Sequence, residues 1–105
     1  MQLRLSGEAE QDVAEIFAWI HADNPDAADR FLSAFRQELK LLSLHPFIGR
    51  RRRFRVRGVR SWRVSGFENY HIFYRPGDAE LAVVRVLHGA RDLRSIFRGL
   101  PSRQA

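Results

Sequence analysis

The sequence predicts an α+β fold, with an N-terminal antiparallel helical hairpin packed on a three- to four-stranded antiparallel sheet and a short C-terminal helix. Three observations lead there. Apolar residues recur at helical spacing as far as Leu42, and Pro46 closes that run. From Phe54 onward the pattern changes to alternation and to short apolar stretches rich in aromatic and β-branched residues. The two patterns do not interleave, so helices come first and strands after.

Residues 2–5, Gln-Leu-Arg-Leu, suit a short first strand. Ser6 is placed to cap a helix, and Glu8 and Glu10 favour the positive end of its dipole. Val13, Ile16, Phe17 and Ile20 then define an amphipathic helix over residues 7–22. Asn24-Pro25 ends it and starts another, with Asn24 as cap and Pro25 in the first turn. Ala28, Phe31, Leu32, Phe35, Leu39 and Leu42 form one stripe on this second helix, which must stop near Leu44. So short a link makes residues 7–45 a helical hairpin.

Pro46 to Gly49 reads as a loop. Phe54-Arg55-Val56-Arg57 alternates as a half-exposed edge strand would, its arginines discouraging edge-to-edge pairing. Ser61 to Val64 starts the next strand, and Gly66 to Asn69 turns into a central hairpin whose strands meet at Pro76-Gly77-Asp78. Antiparallel strands are thus expected across residues 53–88. Residues 91–98 suit a short helix with Leu93, Ile96 and Phe97 on one side, and residues 101–105 a frayed tail. The hairpin is expected to cover one sheet face and to leave the other for arginines or a partner.

At 105 residues the chain suits a single domain, residues 1–105, able to bury a core without staples. It has no cysteine, which excludes disulfides and thiolate chemistry. The N-terminus lacks the apolar run of a signal peptide and nothing reaches membrane-spanning length, so a cytoplasmic protein without membrane contact is expected. The formal charge is +6 and unevenly spread. Residues 1–38 hold eight acids against three bases, whereas residues 50–75 hold nine arginines against Glu68 alone. That asymmetry points to an anionic partner, a nucleic acid or an acidic protein segment.

Several segments resemble the ParE toxins of the RelE/ParE toxin–antitoxin superfamily, of the plasmid stabilisation type. They are Ala9-x-x-Asp12-x-x-x-Ile16, Asn24-Pro25 with Ala27-Ala28, and Leu42-x-x-His45-Pro46-x-x-Gly49. Asn69-Tyr70-x-Ile72-Phe73-Tyr74-Arg75 and Arg85-Val86-Leu87-His88-Gly89-x-Arg91-Asp92 complete the set. The resemblance implies a small toxin held inactive by a cognate antitoxin, with a higher-order toxin–antitoxin hetero-oligomer among the assemblies it suggests. ParE-like relatives inhibit DNA gyrase by binding, whereas RelE-like relatives cleave messenger RNA on the ribosome. An antitoxin with an acidic toxin-binding segment would suit the arginines, and Arg53, Arg55, Arg57 and Trp62 are its expected contacts.

A ribonuclease needs a proton acceptor, a proton donor and cations around the phosphate. The groups on offer are His88 as acid or base, Arg63, Arg85 and Arg91 as phosphate clamps, and Tyr74 as hydroxyl donor or stacking ring. No tyrosine follows Tyr74, the only lysine is Lys40, and Glu68 is the one nearby acid. The set is incomplete, which favours binding over catalysis. His88 is expected to bond a backbone carbonyl or Asp92, and Asp92 to cap the last helix or pair with Arg91. Arg85, alternating with Leu81, Val83 and Leu87, is expected on their side of the sheet, at its margin or paired. His21, His45, His71 and His88 show no metal spacing, and no cofactor motif appears.

Overall fold

The structure is a computed structural model and describes residues 1–98. In chain order the elements are β1 (Gln2–Leu5), α1 (Gly7–Asp23), α2 (Pro25–Leu44), β2 (Arg50–Arg51), β3 (Arg60–Val64), β4 (Phe67–Pro76), β5 (Glu80–His88) and α3 (Leu93–Arg98). Both helix starts are capped. The Ala9 amide donates to Ser6 Oγ and the Ala27 amide to Asn24 Oδ1. Pro25 occupies the first turn of α2, where its missing N–H has no partner to lose.

The sheet order is β1-β5-β4-β3-β2. The α+β class holds, but the sheet has five strands and is mixed. β1 lies parallel to β5, in the register Gln2 to Glu80 through Leu5 to Val83, while the remaining pairings are antiparallel. Parallel pairing follows from α1 and α2 intervening between β1 and the hairpin, since only a long crossover can bring two strands together in the same direction.

The alternating segment Phe54 to Arg57 is not a strand. It forms a turn, and the edge strand is Arg50–Arg51, paired with Ser61 and Arg60. The alternation was nonetheless physical. Phe54 and Val56 point inward and Arg53, Arg55 and Arg57 outward, without a ladder to hold them.

The opposite sheet face is likewise not left bare. One core lies between the helices and the sheet, built on Phe31, Phe35, Leu42, Val64, Ile72, Tyr74, Leu81, Val83 and Val86. A second lies on the other face, where Val56, Val59, Phe73, Leu87 and Phe97 are buried. Phe97 of α3 stacks on Phe54 at 4.2 Å between ring centroids and meets Phe73 edge-on at 5.0 Å. The 54–59 loop and α3 therefore cover part of the face predicted to be free.

Candidate functional site

A β-bulge decides where the polar side chains of β5 go. Phe73 pairs with Arg85 but Tyr74 with Val83, so Val84 and Arg85 together oppose a single residue. The extra residue reverses the facing of the strand. Leu81 and Val83 face the helices before it, and Val86 does so after it. Leu87 turns to the second core, contrary to its expected grouping with Leu81 and Val83. The bulge is anchored by Ser6, whose hydroxyl donates to the Val84 carbonyl at 2.9 Å while its amide donates to that of Val83.

Arg85 is paired, with Asp12 of α1. Its Nε donates to Asp12 Oδ2 at 2.7 Å and its Nη2 to Oδ1 at 2.9 Å, a bidentate fork. The Val86 amide donates to Oδ2 of the same carboxylate at 2.9 Å. The Asp12 bond raises the Arg85 pKa, partly opposed by burial, and the charges of Asp12, Glu8 and Glu15 reinforce it. Asp12 is the residue that charge counting missed. Its signal was present, an acid one turn before Ile16 on the apolar stripe.

Tyr74 lies fully buried on the helix side. Its hydroxyl oxygen accepts from the Gly49 amide at 2.8 Å, and burial raises its pKa. It cannot stack on a base from there. His88 ends β5, where its Nδ1 accepts from the Ala90 amide at 3.0 Å and its ring meets Tyr70 edge-on, rather than bonding a carbonyl or Asp92. Asp92 caps the last helix through the Ser95 amide, and Arg91 is exposed. Among the described residues the ion pairs are Arg4–Glu80 and Arg85–Asp12, so Arg91 and Asp92 do not pair.

The five residues considered for phosphate chemistry are therefore scattered. Tyr74 is inside the first core, Arg85 is bound at the α1 edge, His88 and Arg91 sit at the end of β5, and Arg63 lies exposed beside His71. Trp62 belongs to the helix side, its Nε1 donating to Glu38 Oε1 at 2.9 Å, and Glu38 Oε2 accepts the Ser65 amide.

The arginines from 50 to 63 divide into two groups. Arg52 donates to Ser61 Oγ, and its guanidinium lies 5.2 Å from the Phe54 ring centroid and 5.6 Å from that of Phe73. Arg60 donates to the Phe47 and Gly49 carbonyls. The side chains of Arg50, Arg51, Arg53, Arg55, Arg57 and Arg63 make no hydrogen bond or ion pair among the described residues. Among the described residues none of the eight is neutralised by a carboxylate. Beside them Phe47 and Ile48 are exposed, as are Leu44 and, on α1, Trp19 at 74 %.

The fold is thus a helical hairpin on a small mixed sheet, with exposed Phe47 and Ile48 close to arginines that no carboxylate offsets among the described residues. The sequence profile of the ParE toxin of the type II toxin–antitoxin system, parDE, matches residues 3–93, and the chain belongs to that family. A solved chain of a chromosomal ParDE toxin–antitoxin system from P. aeruginosa has the same fold, with a TM-score of 0.71 at 20 % identity. The match covers 84 % of this chain and 95 % of that one. No curated protein matches the sequence. Among the described residues no three metal-ligating side chains converge, and no helix is long and apolar enough to cross a membrane.

Proposed function

We propose that this chain is a cytoplasmic toxin that obstructs DNA gyrase by binding it, and that a cognate antitoxin neutralises it through an acidic segment. The observation that carries the reading is the set of six unengaged arginine side chains, in a chain whose family is that of the ParE toxins. Uncompensated guanidinium groups beside exposed Phe47 and Ile48 suit an amphipathic acidic peptide better than a neutral one. Arg53, Arg55 and Arg57 point outward and remain antitoxin contacts in this reading, and the half-buried Trp62 is kept with them. The alternative, ribosome-dependent cleavage of messenger RNA, would need the scattered candidates to act together, and Tyr74 and Arg85 are held elsewhere.

The deciding experiment is DNA supercoiling by purified gyrase with and without this protein. Inhibition is expected, relieved by the protein encoded next to its gene. No inhibition at several-fold molar excess refutes the gyrase reading, and cut messages on induction would favour the nuclease instead. Replacing Arg53, Arg55 and Arg57 together by Glu should leave the unfolding temperature nearly unchanged while weakening antitoxin binding at low salt, because rim charges act mainly through long-range attraction.

A further inference from the structure

On the sheet face away from α1 and α2, beside the short edge strand β2, lies a cavity of about 410 Å³, within the size range of small-molecule sites. Arg50, Arg52, Ser61, Trp62, Arg63 and His71 line it, and no carboxylate does. The register that makes it is simple. Ser61 pairs with Phe73 and Arg63 with His71, which brings the hydroxyl, the guanidinium and the imidazole to one face. β2 stops at Arg51, so Arg52 folds over that face, where Phe54, Phe73 and Ser61 hold it.

His71 marks the place as unfinished. Its Nδ1 is buried and has no hydrogen-bond partner, an uncommon condition that costs free energy. Gly89 keeps the ring's other side close, since a Cβ there would stand 2.9 Å from Nε2. Burial lowers the His71 pKa, and the charges of Arg63, Arg52 and His88 lower it further. Burial lowers that of Arg52 too, with Arg50 adding to it. Arg50, Arg52 and Arg63 crowd one another here, and among the described residues no carboxylate lines the cavity.

We propose that this cavity binds a phosphate group, carried by a ligand of mononucleotide size. A phosphomonoester brings close to two negative charges and three acceptor oxygens, enough for two guanidinium forks at once, whereas one carboxylate offsets one. The Ser61 hydroxyl adds a neutral donor. The volume left beyond one phosphate, bordered by the apolar side chain of Ile48, has room for a sugar and base rather than a bare ion. The site stands independently of the gyrase reading.

The test follows the His71 ring signals by NMR across a pH series, using the full chain with inorganic phosphate, adenosine 5′-monophosphate or a tetraglutamate peptide. Each is compared with sodium chloride at equal ionic strength. Both phosphate probes should raise the His71 pKa by about one unit, and the mononucleotide should saturate at about tenfold lower concentration than phosphate. Arg63→Gln should abolish the response without lowering the unfolding temperature, because Arg63 is exposed and unengaged. Arg36→Gln, on the outside of α2, should leave it intact. No response to either phosphate probe overturns the proposal, as does a full response in Arg63→Gln. A tetraglutamate response matching that of the mononucleotide overturns it in favour of a peptide carboxylate site. Equal affinity for inorganic phosphate and the mononucleotide overturns the nucleotide-sized ligand.

Discussion

Removing the Asp12 carboxylate should destabilise the fold more than any surface charge change. The side chain is only 7 % exposed and accepts three hydrogen bonds, two from Arg85 and one from the Val86 amide. Asp12→Ala strands that amide beside α1, at about 1–3 kcal/mol for a buried donor without a partner. It also strips a guanidinium that is only 19 % exposed of its counter-ion. Partial rehydration softens that second loss to about 1–2 kcal/mol, well below the cost of orphaning a fully buried charge. The total is about 3 kcal/mol, a large part of the 5–15 kcal/mol typical of a folded domain. For a chain of this size the unfolding temperature should fall by about 15 °C.

Asp12→Asn should cost less, because an amide oxygen can still accept the Val86 N–H but offers no charge and no second acceptor to the fork. A double-mutant cycle with Arg85→Met, followed by urea unfolding, isolates the pair. Its coupling energy should be about 1–3 kcal/mol. Coupling below about 0.5 kcal/mol, or an Asp12→Asn variant as stable as the parent, would refute the reasoning.

Gly49→Ala should also be severe. The new Cβ would collide with the Tyr74 hydroxyl and approach the Ser61 carbonyl oxygen to 2.9 Å, so about 1–3 kcal/mol of overpacking should appear in chemical denaturation. Tyr74→Phe tests the other half of that contact. It leaves the buried Gly49 amide without its acceptor at about 1–3 kcal/mol, and amide exchange at Gly49 should quicken. Phe97→Ala should lose about 3–5 kcal/mol if α3 truly seals the second core, and near-neutral behaviour would mean that α3 is not docked there. His71 predicts a pH effect of definite sign. Its folded pKa lies below the ordinary 6.5 because of burial, Arg63, Arg52 and His88, so the unfolded chain takes up the proton first. Stability should hold above pH 6.5 and fall as pH drops from there toward the folded pKa, and His71→Gln should flatten that stretch of the urea-midpoint profile.

Much of the fold was legible because local signals and tertiary packing agreed. Ser6, Asn24 and Pro25 occupy the cap and first-turn positions that their chemistry favours, and the stripe from Ala28 to Leu42 faces the sheet. What escaped was set by long-range pairing. Alternation at Phe54 to Arg57 reports which side chains turn inward, and a loop pressed on a sheet satisfies it as well as a strand does. Gln2 to Leu5 gave no sign of running parallel to β5, since strand direction depends on a partner about eighty residues away. The bulge at Val84–Arg85 has no residue signature either, as neither position is glycine. One inserted residue moved Leu87 to the other core. The cavity beside His71 was invisible because it joins Arg52, Arg63 and His71 across three segments, and only register brings them together.

The charge asymmetry of the sequence proves to be an internal division of labour. The acidic helical half lends two carboxylates to the sheet: Asp12 holds Arg85 and the Val86 amide of β5, and Glu38 holds the Trp62 indole of β3 and the Ser65 amide just after it. Neither reaches the arginines between residues 50 and 63. Arg52 and Arg60 are held instead by a hydroxyl, by carbonyls and by aromatic faces, groups that fix a guanidinium without cancelling its charge. Cations arranged this way repel one another in the isolated chain. Any anionic partner that binds only the folded state relieves that repulsion and stabilises the fold by mass action. In the proposed reading, an arginine-rich segment with no counter-ion among the described residues is half of an interface rather than a solubilising surface, for which scattered charges of both signs would serve as well.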